Sequence, residues 1–199
     1  MAWHVAYDRR VAHGRYRQAV RLRTGLTVPY VAQGDRSGVP VVLLHAWGES
    51  LGSFDRLLPL LPATIHAVAM DQRGHGAADQ PADGYTLVDL ADDVEAFMDA
   101  AGLSAAVLVG SSSGGYVAQQ VAVRSPDRVN GLVLVGSPRS LRGRPSFADE
   151  VDRLTDPVDR AWVTASWNGF RASMTYRTGT SRIESMTVFG CRRACGADR

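Results

Sequence analysis

Gly110-Ser111-Ser112-Ser113-Gly114 lies between an apolar run over residues 105–109 and a helical pattern over 115–124, and Gly115 follows at once. A short continuous apolar run that passes directly into a helix reads as a buried strand turning tightly into that helix. Such a turn is strained, and the residues flanking its apex must be small. Of the three serines, only Ser112 has glycine at both −2 and +2, namely Gly110 and Gly114. Its hydroxyl is expected above the C-terminal edge of the sheet, at the positive end of the following helix. Ser112 is therefore the candidate nucleophile. A plain Gly/Ser connector would share the pentapeptide; the strand before it and the helix after it favour the sharper reading.

The same alternation extends upstream. Residues 16–23 read as a first strand and 26–33 as a second, with turn chemistry from Gly34 to Gly38. Residues 41–44 and 65–70 are short apolar strands of the kind buried on both faces. Phe54, Leu57, Leu58 and Leu61 have helical spacing over 53–61, ended by Pro62. Leu87, Leu90, Val94, Phe97, Met98 and Ala101 mark one face of a helix that Gly102 stops. Asp89, Asp92, Asp93, Glu95 and Asp99 fill the remainder of that helix and are expected to be a solvated face rather than a metal site. A last strand is expected over 129–135. Strands alternating with helices predict an α/β fold, a mostly parallel sheet with helices on both faces.

Two further motifs follow strands. His45-Ala46-Trp47-Gly48 succeeds 41–44, and Asp71-Gln72-Arg73-Gly74-His75-Gly76 succeeds 65–70. With the Ser112 turn they resemble, in order and spacing, the α/β-hydrolase fold family, in its esterase, haloperoxidase and epoxide-hydrolase-like group. The resemblance covers roughly residues 26–162 and implies an α/β-hydrolase fold that is incomplete at the C-terminus. It implies that Ser112 attacks an acyl group, with the backbone N–H groups of Trp47 and Ser113 as the oxyanion hole. Ala46 replaces the family's usual Gly in that loop. The resemblance makes His45 a structural loop histidine rather than the base. It places Asp71, Arg73 and Gly74, with His75, in a D-x-R-G-x-G loop that braces the floor of the site. Family members that open epoxides or displace halide carry Asp at the elbow, so Ser112 implies acyl transfer instead. The classes implied are an esterase-like hydrolase, a perhydrolase or haloperoxidase-like enzyme, or a C–C bond hydrolase, acting on a small-molecule substrate. No cofactor and no metal are implied.

Composition narrows the classes further. The 199 residues carry 22 Lys+Arg against 20 Asp+Glu, a net charge of +2, which is too balanced to argue for nucleic acid as a partner. Every basic residue is Arg, so P-loop, Schiff-base and Ser–Lys chemistries have no amine to use. No apolar run reaches about 18 residues, so no membrane-spanning helix is expected. Residues 1–10 lack an apolar signal-peptide core. Cys191 and Cys195 make neither a zinc site, which needs about four ligands, nor a disulfide framework. A reducing cytoplasm is the expected location, and the oligomeric state is not legible.

Three segments are expected: an Arg-rich extension and first strand over 1–24, the α/β-hydrolase core over 25–162 with a cap beginning near 139, and an irregular tail over 163–199. The tail has no Leu, whereas residues 1–162 have 17, and it carries +4 where the preceding part carries −2. It is expected to be unable to supply the sheet's last strands. In this fold an acid and then a His follow the nucleophile. His4, His13, His45, His66 and His75 all precede Ser112. The 199-residue chain is therefore expected to be inactive or impaired, and poorly stable. Reverse-translated and read from the third base of each codon, MTYRTGTS (174–181) admits Asp-Val-Pro-Asp-Trp-Tyr-Leu. FGCRRACG (189–196) admits Arg-Val-Pro-Ala-Arg-Val-Trp in the same frame. Both resemble cap segments of related hydrolases, which implies a frameshift between about residues 163 and 174. The competing expectation is a non-catalytic remnant of the fold, or a binding module.

Overall fold

A computed structural model describes residues 16–137 and 186–190. All of them belong to one compact unit. The expectations for residues 1–15, for the cap start near 139 and for most of 163–199 lie outside the described residues.

The strands are β1 (Tyr16–Arg21), β2 (Thr27–Gln33), β3 (Val39–Leu44), β4 (Ile65–Met70), β5 (Ala106–Ser111), β6 (Val129–Val135) and β7 (Met186–Gly190). They form one sheet in the order β1-β2-β4-β3-β5-β6-β7. The central strands β4, β3, β5 and β6 are parallel, while β2 and β7 run against them. Leu44 pairs with Met70 on one side and Gly110 on the other, and Gly110 pairs with Leu134. All four central strands thus end at one edge. The loops that leave them there carry Trp47, Asp71, Ser112 and Ser137.

The pleat sends alternate side chains to opposite faces. Val42, Leu44, Val68, Met70 and Leu108 join one buried cluster with Ala91, Val94, Phe97 and Met98 of α1 (Leu87–Ala100). Val117, Ala118 and Val121 of α2 (Ser113–Arg124) complete it. The Phe97 ring meets Tyr30 edge-on at 5.2 Å between centroids. Val41, Leu43, Ala67 and Ala69 face the other way, under Leu51, Phe54 and Leu58. Helix α1 starts at a reciprocal cap: the Thr86 hydroxyl accepts from the Asp89 N–H at 3.2 Å, and the Asp89 carboxylate accepts from the Thr86 N–H at 2.9 Å.

Three expectations are corrected. The helical spacing over 53–61 yields two short 3₁₀ turns, Leu51–Phe54 and Leu58–Leu60, rather than an α-helix. Pro59, inside the second turn, has no N–H to donate to the Asp55 carbonyl, so an i→i−4 ladder cannot run through the segment. Leu57 is consequently exposed while Phe54 and Leu58 are buried.

The acids of α1 are only in part a solvated face. Asp93 and Glu95 are buried. Asp92 pairs with Arg124 at 2.6 Å, Asp93 with Arg73 at 2.7 Å, and Asp99 with Arg128 at 2.7 Å. Glu95 accepts from the Ser125 hydroxyl at 3.0 Å. Most of these partners come from α2 and the turn behind it, which bury the flank of α1 that the pattern assigned to water.

Third, the tail does supply a strand. β7 pairs antiparallel with β6, Leu132 opposite Phe189 and Val133 opposite Val188. Its sequence, MTVFG, is rich in β-formers, and the exposed backbone of β6 offers a ready template.

Candidate active site

Ser112 is the one non-glycine residue with positive φ among the described residues, at φ 47° and ψ −114°. A conformation of this kind costs about 1–3 kcal/mol and persists only where its surroundings impose it. Here the Ser112 N–H donates to the Val135 carbonyl at 2.8 Å, and the Ser112 carbonyl accepts from the Gly115 N–H at 3.0 Å. The Ser137 hydroxyl donates to the same carbonyl at 2.5 Å.

The flanking glycines are required by contact. A Cβ on Gly110 would stand 2.4 Å from the Gly115 Cα, and one on Gly114 would stand 2.4 Å from the Leu44 carbonyl oxygen. The end of β3 and the start of α2 therefore touch backbone to backbone. Ser112 itself is solvent-exposed, at the head of a 12-residue helix whose free N–H groups make that end positive.

The same close approach brings Trp47 to Ser113. The Trp47 N–H donates to the Ser113 hydroxyl oxygen at 2.5 Å. The loop carrying Trp47 is closed locally, the Glu49 N–H donating to the Ala46 carbonyl at 3.1 Å.

His45 lies fully buried beneath this loop. The Gln72 N–H donates to its Nε2 at 3.0 Å. Nδ1 therefore carries the proton, and it donates to the Ala46 carbonyl at 2.8 Å. Burial holds the His45 pKa below its usual value, so the neutral ring is favoured. Both nitrogens are used, which suits a brace and not a general base.

Asp71 joins three stretches of chain: its carboxylate accepts from the Leu51 N–H at 2.7 Å and from the Ala77 N–H at 2.9 Å. Arg73 turns away from the edge and grips Asp93 through two bonds, Nε at 2.7 Å and Nη2 at 3.0 Å. The hydrogen bonds to Asp93 hold its guanidinium pKa above the usual value. Gly74 takes φ +74° against the Tyr85 ring. The His75 Nδ1 donates to the Arg73 carbonyl at 2.8 Å, and its ring centroid is 5.2 Å from that of His45.

A profile of the alpha/beta hydrolase fold matches residues 39–184, well over half of the chain. The chain belongs to the α/β-hydrolase fold family. A non-heme chloroperoxidase of Streptomyces lividans is 40% identical over 115 residues, covering 57% of this chain and 42% of that protein. A serine hydrolase-like protein of Homo sapiens is 35% identical over 132 residues, covering 65% and 63%. Among solved structures, a hydrolase from Pseudomonas aeruginosa superposes with a TM-score of 0.62 at 29% identity, over 68% of this chain and 50% of that one. An epoxide hydrolase from Vigna radiata gives 0.61 at 25% identity, over 72% and 46%. The chain thus spans between 42% and 63% of the length of the two curated relatives.

Within this α/β-hydrolase chain the structure brings Ser112, Ser113, Trp47, Gly110, Gly114, His45 and Asp71 to one sheet edge. Arg73 and Gly74 lie one layer back. His66 is elsewhere: it sits four residues before Met70 on β4, about 13 Å from that edge at strand rise. No group of three or more His, Cys, Asp or Glu side chains that could hold a metal occurs among the described residues. No helix among them is long and apolar enough to cross a membrane. Sequence reasoning missed two residues. Ser137, which clamps the Ser112 carbonyl, could have been found from its place just past the strand neighbouring β5. Asp93, the partner of Arg73, gives no local signal apart from the acids around it.

Proposed function

We propose that this chain carries the nucleophile and oxyanion-receiving half of a serine hydrolase acting on ester-like or related small acyl substrates. The observation that carries this reading is the backbone of Ser112. A serine held at positive φ, between glycines that permit backbone contact, is solvent-exposed and makes no helix-capping bond with its side chain. In the proposed step the Ser112 Oγ bonds to the acyl carbon. The carbonyl electrons move onto oxygen, and that oxygen is received by the N–H groups of Trp47 and Ser113. The oxyanion then collapses, the alcohol leaves with the proton taken from Ser112, and water later cleaves the acyl-enzyme. His45, Asp71, Arg73 and Gly74 hold the loops in register rather than touching substrate. No cofactor enters, and a cytoplasmic location belongs to the same proposal.

The proton transfer needs an imidazole oriented by a carboxylate. His45 has both nitrogens engaged, His66 lies at the far end of its strand, and residues 113–199 contain no His. We therefore propose that the 199-residue polypeptide is impaired, and that a shifted reading frame beginning between about residues 163 and 174 accounts for the tail. The second reading, a non-catalytic binding module on this fold, is favoured by the absence of His from residues 113–199.

A p-nitrophenyl ester assay separates these readings. A longer protein obtained by shifting the frame by one base should hydrolyse the ester in a Ser112-dependent manner. The 199-residue form should fall short by a factor of about 10⁴. Equal Ser112-dependent activity in both forms would reject the impairment, and no activity in the longer form would favour the binding module.

A further inference from the structure

The Trp47 N–H, one of the two donors assigned to the oxyanion, is already engaged. Its acceptor is the Ser113 hydroxyl oxygen, 2.5 Å away, from the residue whose own N–H is the other donor. An oxyanion must lie within about 2.7–3.1 Å of both donors. A serine Oγ bonded to Trp47 while tethered one carbon from the Cα of Ser113 occupies that same neighbourhood. We propose that the Ser113 hydroxyl is an internal occupant of the oxyanion position, holding the Trp47 donor until a reacting oxygen displaces it. This rests on the reading of Ser112 as nucleophile and concerns the Ser113 side chain, not its backbone.

The chemistry gives the occupant a selective effect. A hydroxyl and a neutral ester carbonyl are acceptors of similar strength, so a ground-state carbonyl gains little by replacing it. A developing oxyanion forms a charge-assisted bond roughly twice as strong and displaces the hydroxyl with a net gain. The Ser113 side chain needs only a rotation about χ1 to leave, and it is part-exposed at the first turn of α2. The cost of displacing the occupant is the same for both oxygens, and only the developing oxyanion repays it with a net gain. Ser113 acts here as a positioning residue for the Trp47 donor.

The test uses the full chain, a fluorophosphonate, and the variants Ser113→Ala and Ser113→Thr. In labelling, the Ser112 Oγ bonds to phosphorus, fluoride leaves, and the serine proton passes to the buffer. The phosphonyl oxygen occupies the oxyanion position. Ser113→Ala is expected to label about three- to tenfold faster than wild type, the equivalent of one neutral hydrogen bond. Ser113→Thr keeps a hydroxyl and should label more slowly than Ser113→Ala. Amide hydrogen exchange at Trp47, which needs no activity, should speed up in Ser113→Ala and not in Ser113→Thr. Labelling of Ser113→Ala at or below the wild-type rate overturns the inference, whatever the exchange shows. Unchanged exchange at Trp47 overturns it as well, by removing the contact. Labelling of none of the three proteins refutes the reading of Ser112, and this inference falls with it.

Discussion

The Ser112 turn and helix α1 are specified differently. The turn is built from glycines whose missing side chains are a direct record of contact: Gly114 has no Cβ because the Leu44 carbonyl is there. The acids of α1 carry no such record. Asp93 and Asp92 look alike on the helix, but Asp93 is 1% exposed and grips Arg73, 20 residues upstream. Asp92 is a third exposed and meets Arg124, 32 residues downstream. Steric necessity is written at the residue it constrains. Charge pairing is written at two distant places, neither of which names the other.

The largest effect expected from breaking this comparison is at Asp93. Asp93→Ala leaves the Arg73 guanidinium buried without its partner, and should destabilise the chain by about 3–5 kcal/mol. The double variant Asp93→Leu with Arg73→Met should recover much of that. Chemical denaturation followed by circular dichroism measures both, and a loss under 1 kcal/mol for the single variant would count against a buried pair.

Gly114→Ala follows. It forces two backbones apart and should cost about 2–3 kcal/mol, in the range of overpacked sites. An unchanged melting curve would mean that the approach of β3 to α2 is looser than described.

Ser112→Gly should act in the opposite direction. It relieves a strained φ worth about 1–3 kcal/mol, partly offset by the greater freedom of glycine when unfolded, for a net gain of about 1 kcal/mol. A destabilised Ser112→Gly variant would remove the strain from the account.

The pH dependence is smaller. Burial lowers the pKa of both His45 and His66, so below about 6.5 the unfolded chain binds protons that the folded chain resists. Stability is therefore fully present above about pH 6.5 and declines as pH falls below it. The decline should shrink in His45→Gln. A denaturation midpoint that rises on acidification from pH 6.5 to 5 would contradict the buried neutral rings.

Smallest of all is Asp92→Asn, at the partly exposed pair with Arg124, which should change stability by no more than about 1 kcal/mol.

The central strands, the Ser112 turn and the two loop motifs were legible because each depends on residues adjacent in sequence. Apolar runs over 41–44, 65–70 and 105–109 sit inside or nearly coincide with β3, β4 and β5. The 53–61 segment misled because leucine spacing was read without the effect of Pro59 inside it. β7 was missed because three β-forming residues, Thr187, Val188 and Phe189, in a tail without periodicity carry no sign of the exposed β6 edge they pair with. Ser137 escaped notice for a similar reason: its role depends on β6 lying beside β5. The engagement of the Trp47 donor by Ser113 depends on two loops meeting, and no motif encodes it.

The most direct test of the central claim is to expose the 199-residue chain to a fluorophosphonate and to locate the adduct by peptide mass spectrometry. The account predicts a phosphonyl group on Ser112 and none in Ser112→Ala. An adduct on Ser111 or Ser113, or label that persists in Ser112→Ala, would contradict it.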